Sequence, residues 1–304
     1  MKYFITGASG FIGRHTVRRL RADGHEVIAT DNNWRYPMQE RSDTTFLDVR
    51  NLEAVKTLLD YTQPDVVLHM AAVNGTQNFY DIPEVVLEVG LKGALNIIDG
   101  CEYAGIRNLV MFSSSEVYQT IAEEKADESV PFSIPDPRNP RYSYAVSKIA
   151  SEVLAFHCGV DRVLVVRPPN IFGPEAGDKH VIPQFIERAK RHREGNPFVV
   201  QGDADQTRAF CYIDDFIDGL IRVIERGNDR EIYHIGTEDE RSIASVAVDV
   251  CRGVRGYEPT LEYVGGGRGG PARRCPNTSK LQALGWSQSV PWSEGLLKTI
   301  EAYK

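Results

Sequence analysis

Thr6-Gly7-Ala8-Ser9-Gly10-Phe11-Ile12-Gly13 stands between an apolar run, Lys2–Thr6, and an amphipathic run, Phe11–Ala22. Read as strand, glycine turn and helix, this segment restricts the chain to a narrow set of folds. Gly7 permits the tight turn, Gly10 lets backbone approach a pyrophosphate, and Gly13 lets helix and strand pack closely. The helix N-terminus offers free N–H groups and a positive dipole end to phosphate oxygens. Asp31, ending the next strand, is placed to accept hydrogen bonds from adenosine ribose hydroxyls, and a carboxylate there disfavours a 2′-phosphate. The cofactor expected is therefore NAD, with Arg35 nearby as the one residue that would argue for NADP.

The alternation continues. Glu26–Thr30, Thr45–Leu47, Asp65–His69, Leu109–Ser113 and Arg162–Val166 read as strands. Phe11–Ala22, a helix capped by Asn51 and running to about Asp60, Pro83–Ala104 and Arg141–Phe156 read as helices. Strands alternating with helices predict an α/β fold, a Rossmann-type doubly wound parallel sheet with a smaller C-terminal substrate-binding domain. After Pro168-Pro169 the pattern loosens. Val181–Arg191, Asp214–Ile224, Ser279–Leu284 and Pro291–Ala302 read as helices; Phe198–Val200, Ala209–Ile213 and Ile232–Ile235 as strands; Gly265–Gly270 as a glycine-rich loop. Residues 1–168 plus 206–238 are expected to form the dinucleotide domain, and 169–205 plus 239–304 the substrate domain.

Composition excludes several classes. The 304 residues carry a net charge of -7, which gives no nucleic-acid or membrane surface. Five dispersed cysteines, without a C-x-x-C pair, argue against a disulfide framework or a metal site, and each is expected to be a small buried hydrophobe. Met1-Lys2 runs straight into a strand and no apolar run is long enough to span a bilayer, so a cytoplasmic protein is expected.

Tyr144-Ala-Val-Ser-Lys148 places a tyrosine and a lysine on one helix face, one turn apart. A phenol is a poor base at neutral pH, with an ordinary pKa of about 10, and a nearby ammonium favours the phenolate. Such a pair can exchange a proton with a sugar hydroxyl. The serines of Phe112-Ser113-Ser114-Ser115-Glu116-Val117-Tyr118 lie at the carboxyl end of the fifth strand, where ligands of open parallel sheets bind. Ser114 is read as holding a substrate hydroxyl between itself and Tyr144. Asp48-Val49, ending the third strand, reads equally as an adenine contact or as a helix-entry carboxylate.

With these motifs in place, the chain resembles the extended short-chain dehydrogenase/reductases that modify nucleotide sugars, the sugar-nucleotide epimerase/dehydratase family. The matching pieces are TGASGFIG, Asp31, Asp48, HMAA (His69–Ala72), SSSEVY, YAVSK, RPPNIFGP (Arg167–Pro174), VIPQF (Val181–Phe185), TRAFCYIDD (Thr207–Asp215) and RRCPNTSKLQALGW (Arg273–Trp286). The resemblance implies Tyr144 as acid/base at the sugar 4-hydroxyl, Lys148 as nicotinamide-ribose ligand that lowers the tyrosine pKa, and Ser114 as the aligning hydroxyl. It places Gly7, Gly10, Phe11, Ile12, Gly13, Asp31, Asn32, Asp48, Val49, Met70, Ala71 and Ala72 with Tyr144 and Lys148 at the cofactor. Asn74, Ser115, Asn170, Pro183, Arg208 and Arg274 are implied on the substrate side, the arginines pairing with its diphosphate. Pro183 equally suits a buried helix start. The family commonly dimerises through helices corresponding to Pro83–Ala104 and Arg141–Phe156, which implies a homodimer.

Two positions depart from the family pattern. Gly90 replaces its usual asparagine and Gln119 its usual glycine; the first puts a local hydrogen-bond arrangement in question, the second the shape of the sugar-pocket rim. All the family's candidate reactions begin by oxidising C4. Glu116 divides the later steps: an acid there suits a 4,6-dehydratase or a C6 decarboxylase, whereas SSSEVY, the NGT after HMAAV and NPRYSY look most like bacterial sugar-nucleotide epimerases of polysaccharide clusters. An epimerase, with a 4-epimerase foremost, is the first expectation. A non-catalytic relative would lack Tyr144 or Lys148, and a 4-ketoreductase would prefer NADPH, against Asp31.

Overall fold

In this computed structural model the structure describes residues 1–34, 43–119, 125–202, 206–265 and 272–304. Arg35 and residues 266–270 of the glycine-rich loop lie outside the described residues. In chain order the strands are β1 (Lys2–Thr6), β2 (Glu26–Asp31), β3 (Thr45–Phe46), β4 (Val66–His69), β5 (Asn108–Phe112), β6 (Arg162–Arg167), β7 (Asn170–Phe172), β8 (Pro197–Gln201), β9 (Thr207–Tyr212), β10 (Glu231–His234), β11 (Glu240–Ser242), β12 (Thr260–Val264) and β13 (Arg273–Arg274). The helices are α1 (Phe11–Ala22), α2 (Leu52–Thr62), α3 (Thr76–Asp81), α4 (Pro83–Ala104), α5 (Ser143–His157), α6 (Val181–Arg191), α7 (Ile213–Arg226), α8 (Ile243–Arg255), α9 (Ser279–Ala283) and α10 (Trp292–Ala302).

A seven-stranded sheet has the order β10-β6-β5-β4-β1-β2-β3, and the neighbours from β6 to β3 pair in parallel. The order reverses between β1 and β4, where a doubly wound sheet opens a crevice at its carboxyl edge. Every residue of β4 is buried, as expected of a strand covered on both faces. The core joins Phe4, Val67, Leu109, Met111 and Val165 of the sheet to Val55 and Leu59 of α2 and Ile97 and Cys101 of α4. Local signals set the helix ends. The Asn51 side chain accepts from the Ala54 N–H at 3.1 Å, and Gly105, at φ 67°, closes α4 in a left-handed conformation. The expected start of α5 at Arg141 shifts to Ser143, because Asn139 caps a separate 3-10 turn over Pro140–Tyr142.

The chain divides into two compact units. The first comprises Met1–Val117, Ile134–Arg167 and Leu220–Tyr233; the second, Tyr118–Ser133, Pro168–Gly219 and His234–Lys304. This differs from the sequence reading at residues 206–219, because β9 takes its partners from β7, β11 and β13. It differs also at Tyr118–Ser133, where the Tyr118 hydroxyl lies 2.9 Å from His234 Nε2 and Ala126 N donates to the Cys275 carbonyl. In the second unit β12 pairs with β8, and Phe172, Phe210 and Trp292 form an aromatic core. All five cysteines are free, four of them buried. Among the described residues no helix is long and apolar enough to cross a membrane.

Candidate active site

The glycine turn is built for close approach. Gly7 sits at φ 72°, and a Cβ there would lie 2.9 Å from Ala71 N and Cα. At Gly13 a Cβ would lie 2.3 Å from the Gly7 carbonyl oxygen, so the turn and α1 pack at backbone distance. No side chain caps α1 at Gly10, and its first turn carries no acid to compete for an anion. Across from the turn, the Thr6 hydroxyl accepts from Met70 N and Ala71 N, each at 3.1 Å, and meets His69 Nδ1 at 2.8 Å. With two N–H groups already donating to it, the hydroxyl gives its own proton to Nδ1, which leaves the imidazole neutral and protonated at Nε2. Burial, reinforced by the Lys148 charge, lowers the His69 pKa to about 3.

A cavity of about 360 Å³ lies at this switch point, lined by Gly7, Gly10, Asp31, Asn32, Val49 and Met70–Ala72 among others. Phe11, Ile12 and Gly13 form the first turn of α1 behind it. The Asp31 carboxylate accepts from Ser9 N at 3.0 Å and Asn33 N at 2.7 Å, which fixes it on the cavity wall. Asp48 does not line the cavity. Its carboxylate binds Arg50 at 2.6 Å, and chiefly that hydrogen bond holds it below the usual carboxylate range. Trp34, Leu47, Arg50, Val73, Val85 and Val89 also line the cavity and escaped the sequence reading. Val85 and Val89 could have been found from their four-residue spacing on α4. Arg50 is neutralised by Asp48 and Glu88, so it offers no unpaired charge to a 2′-phosphate. A flush backbone cradle with a fixed carboxylate on its wall fits a dinucleotide with a free ribose diol.

At the end of β5 the structure brings together Ser114, Glu116, Tyr144 and Lys148. Tyr144 is buried and stacks on Phe79 of α3, with ring centroids 5.0 Å apart and planes 12° apart. Ser114 accepts from Glu116 N at 3.1 Å, and its hydroxyl acts on the neighbouring Tyr144 phenol, favouring the phenolate. Lys148 lies 5.6 Å from the Tyr144 ring centroid, and its Nζ donates to the Phe112 carbonyl at 2.7 Å. Burial lowers its pKa to about 8, against the opposing pull of Glu152.

One expectation is corrected here. The protein's own groups raise the Tyr144 phenol well above its ordinary value: burial acts first, then the Glu116 charge, and only the Ser114 hydrogen bond works downward. Spacing reveals proximity to an ammonium but not desolvation, which dominates in a site this dry. Glu116 in turn faces Arg141, 3.6 Å away, a partner the sequence reading missed. Ser115 is buried in a 3-10 turn, and Asn74 is exposed, its side chain accepting from Gly75 N at 2.7 Å. The Gly90 departure has a steric cause, since a Cβ there would lie 2.5 Å from the Ser147 side chain. The crossing of α4 and α5 leaves no room for an asparagine.

In the second unit, β13 pairs with β9 so that Arg274 stands opposite Arg208, on the same sheet face. Arg208 donates to the Thr207 carbonyl at 2.7 Å, and Arg274 is buried. On β7, which also pairs with β9, Asn170 stands opposite Phe210 and donates to the Ala209 carbonyl at 3.2 Å. Pro183 is buried in the first turn of α6. Gln119 is 5% exposed, so it would shape a pocket rim through packing and not through surface contact.

Residues 3–236 match the NAD dependent epimerase/dehydratase family. A Mus musculus dTDP-D-glucose 4,6-dehydratase is 27% identical, covering 100% of this chain and 88% of its own. A UDP-N-acetyl-alpha-D-glucosaminuronate decarboxylase from Bacillus cytotoxicus is 30% identical, covering 99% and 97%. The crystal structure of Thermus thermophilus UDP-glucose 4-epimerase in complex with NAD superposes with a TM-score of 0.86 at 27% identity, covering 100% of this chain and 99% of that one. Three reaction types thus lie at similar distance. With the glycine cradle, Asp31 and the Tyr144–Lys148 pair in place, the chain belongs to the NAD-dependent epimerase/dehydratase family of enzymes.

Proposed function

We propose that the protein is an NAD-dependent nucleotide-sugar epimerase, foremost a 4-epimerase, acting through a transient 4-keto sugar. The observation that carries the 4-keto step of this reading is the assembly of Ser114, Tyr144 and Lys148 at the carboxyl end of β5, in the same unit as the dinucleotide cavity; the choice of an epimerase follows the SSSEVY, NGT and NPRYSY motifs. NAD, when bound, supplies a reversible hydride acceptor. Asp31 would hold its adenosine ribose, the N–H groups of the Gly7–Gly13 turn its phosphates, and Lys148 the nicotinamide ribose. Tyr144 takes the proton of the sugar 4-hydroxyl as hydride leaves C4, and gives it back when hydride returns to the opposite face. The Ser114 hydroxyl steadies the phenolate, and burial, which makes the phenol a reluctant acid, strengthens the phenolate as acceptor of the sugar's proton. Asn170, Arg208 and Arg274 are assigned to the diphosphate, whose oxygens suit the planar fork of a guanidinium. Leu95 of α4 and Val146 and Val153 of α5 are exposed apolar side chains on the two helices assigned to a homodimer.

A second reading is favoured by Glu116. Its carboxylate is close enough to Tyr144 to raise the phenol, and Arg141 accompanies it. Such a pair suits chemistry at C5 and C6 of the ketose. Ser115 offers no acid to protonate a departing hydroxyl, so loss of carbon dioxide from a uronic acid ranks above loss of water. Incubation with UDP-, dTDP-, GDP- and CDP-sugars in deuterated water, followed by NMR, separates the outcomes. A C4 epimer without deuterium at C5 is expected. Deuterium at C5 with loss of water, or a pentose product from a uronic acid, would sink the epimerase reading.

A further inference from the structure

Beyond the Tyr144–Lys148 pair, α5 carries a third buried polar side chain in the same stripe. Tyr144, Lys148 and Glu152 are four residues apart, on one helix face. Each meets one of three consecutive residues leaving β5. Tyr144 neighbours the Ser114 hydroxyl, Lys148 donates to the Phe112 carbonyl, and Glu152 accepts from the Ser113 hydroxyl. Ser113 N donates to the Val166 carbonyl at 2.8 Å, the next rung beyond the β5–β6 ladder. From the end of β6, Arg167 grips Glu152 with two parallel bonds, Nε at 2.8 Å and Nη2 at 2.5 Å. Glu152 and Arg167 are each 1% exposed.

A buried ion pair is a poor device for stability, since well-packed apolar residues of similar volume often do as well. What a fork-to-carboxylate clamp supplies is a fixed geometry. We propose that Glu152 is a positioning residue: held by Arg167, it ties Ser113 to α5 and so sets the Phe112 carbonyl against Lys148 and the Ser114 hydroxyl against Tyr144. The inference rests on the reading of Tyr144 and Lys148 as the acid/base pair. The groups around Lys148 agree with it. Tyr144 and Glu152 share its helix, neutral His69 faces it from β4, Glu116 lies by Tyr144, and Arg167 stands behind Glu152. Of these, Glu152 is the carboxylate that sustains the charge of the ammonium.

The test uses full-length protein with lysines labelled at the 13Cε position. The Lys148 resonance, identified by its loss in Lys148→Met, should titrate near 8. In Glu152→Gln its midpoint should fall by about one unit or more. Glu152→Asp, which keeps the charge on a shorter arm, should recover most of that shift. Turnover of a nucleotide sugar by Glu152→Gln should drop about ten- to a hundredfold in kcat. An unchanged midpoint, or an unchanged kcat, in folded Glu152→Gln overturns the proposal. Should that variant not accumulate as folded protein, Ser113→Ala decides: a lower kcat at constant KM supports the clamp and an unchanged kcat refutes it. If the native protein turns over no nucleotide sugar, the functional reading falls and the Lys148 midpoint alone decides the clamp.

Discussion

At the end of β1 the chain binds through its backbone; at the end of β5 it acts through buried side chains. The three glycines of the Gly7–Gly13 turn have no side chains to contribute, and a Cβ at Gly13 would stand 2.3 Å from the Gly7 oxygen. Its function is shape, together with N–H groups that aim at an anion, and neither changes with pH. Around Tyr144 the opposite holds. Tyr144, Lys148 and His69 are each buried and each displaced from its ordinary pKa, mainly by loss of water. Shape is stable and cheap to hold; buried titratable groups cost stability and make proton transfer possible. The two regions should therefore break differently.

The largest effect is expected at the phenol. Tyr144→Phe removes one oxygen while keeping the ring stacked on Phe79, so kcat should fall about 10³-fold or more, in the upper part of the range for general acid–base groups. Calorimetric titration with NAD should show unchanged affinity, and full activity in this variant would end the central mechanistic claim. In the glycine turn, Gly13→Ala forces Cβ against backbone that has no rotamer to yield, so denaturant melts should show a loss of about 3 kcal/mol. Gly10→Ala is the finer probe. Its Cβ would lie 3.1 Å from the Gly7 oxygen at an ordinary φ of -68°. Stability should change by less than about 1 kcal/mol while NAD affinity falls, because the methyl group intrudes where phosphate must approach.

Lys148 reverses the usual sign. Its pKa in the folded protein, about 8, lies below the ordinary 10.5. Between those values the unfolded chain holds the proton more tightly, so stability rises with pH across the window and is lowest below 8. The full shift corresponds to about 3 kcal/mol, from which the lost bond to the Phe112 carbonyl subtracts about 1. Lys148→Met should therefore be about 2 kcal/mol more stable near pH 7 and catalytically dead, and the gap should close above pH 10.5. A destabilised Lys148→Met would show that the Phe112 bond outweighs desolvation.

The contrast also explains what the sequence could show. Glycine spacing, the Asn51 cap and the Gly105 stop are local signals, so β1, α1 and α4 are legible to the residue and α2 to within two residues of its end at Thr62. β7, β11 and β13 are two or three residues long and exist only through pairing with β9. α8 had its Ser242 cap and Gly256 stop, but Val246, Val248 and Val250 alternate with the period of a strand and mask the helix. At the site, residue types and spacing identify Ser114, Tyr144 and Lys148. The stacking of Phe79 on Tyr144 and the pairing of Arg141 with Glu116 join residues distant in the chain and leave no local mark. The direction of the Tyr144 shift is hidden for the same reason: burial is a property of the assembled fold, whereas the Tyr–Lys spacing is a property of one helix.

The smallest effect tests the seam between the two regions. His69 ends β4, bonded to the Thr6 hydroxyl that also holds the Met70 and Ala71 N–H groups of the cavity wall. Its pKa is lowered to about 3 from 6.5. Below 6.5 the unfolded imidazole takes a proton that the folded one refuses, so stability contributed by the neutral ring is complete above 6.5 and is lost as pH falls toward 3. One unit below 6.5 the loss is about 1 kcal/mol, and the slope approaches about 1.4 kcal/mol per pH unit. His69→Asn offers an oxygen where Nδ1 stood and cannot titrate. Denaturant midpoints compared between pH 7 and 5 should decline less steeply in this variant than in the native protein, whatever its stability at pH 7. Equal slopes would mean that His69 takes up its proton in the folded state. The imidazole beside Lys148 would then belong with the titrating groups of the chemical end, and not with the pH-independent frame that holds the dinucleotide.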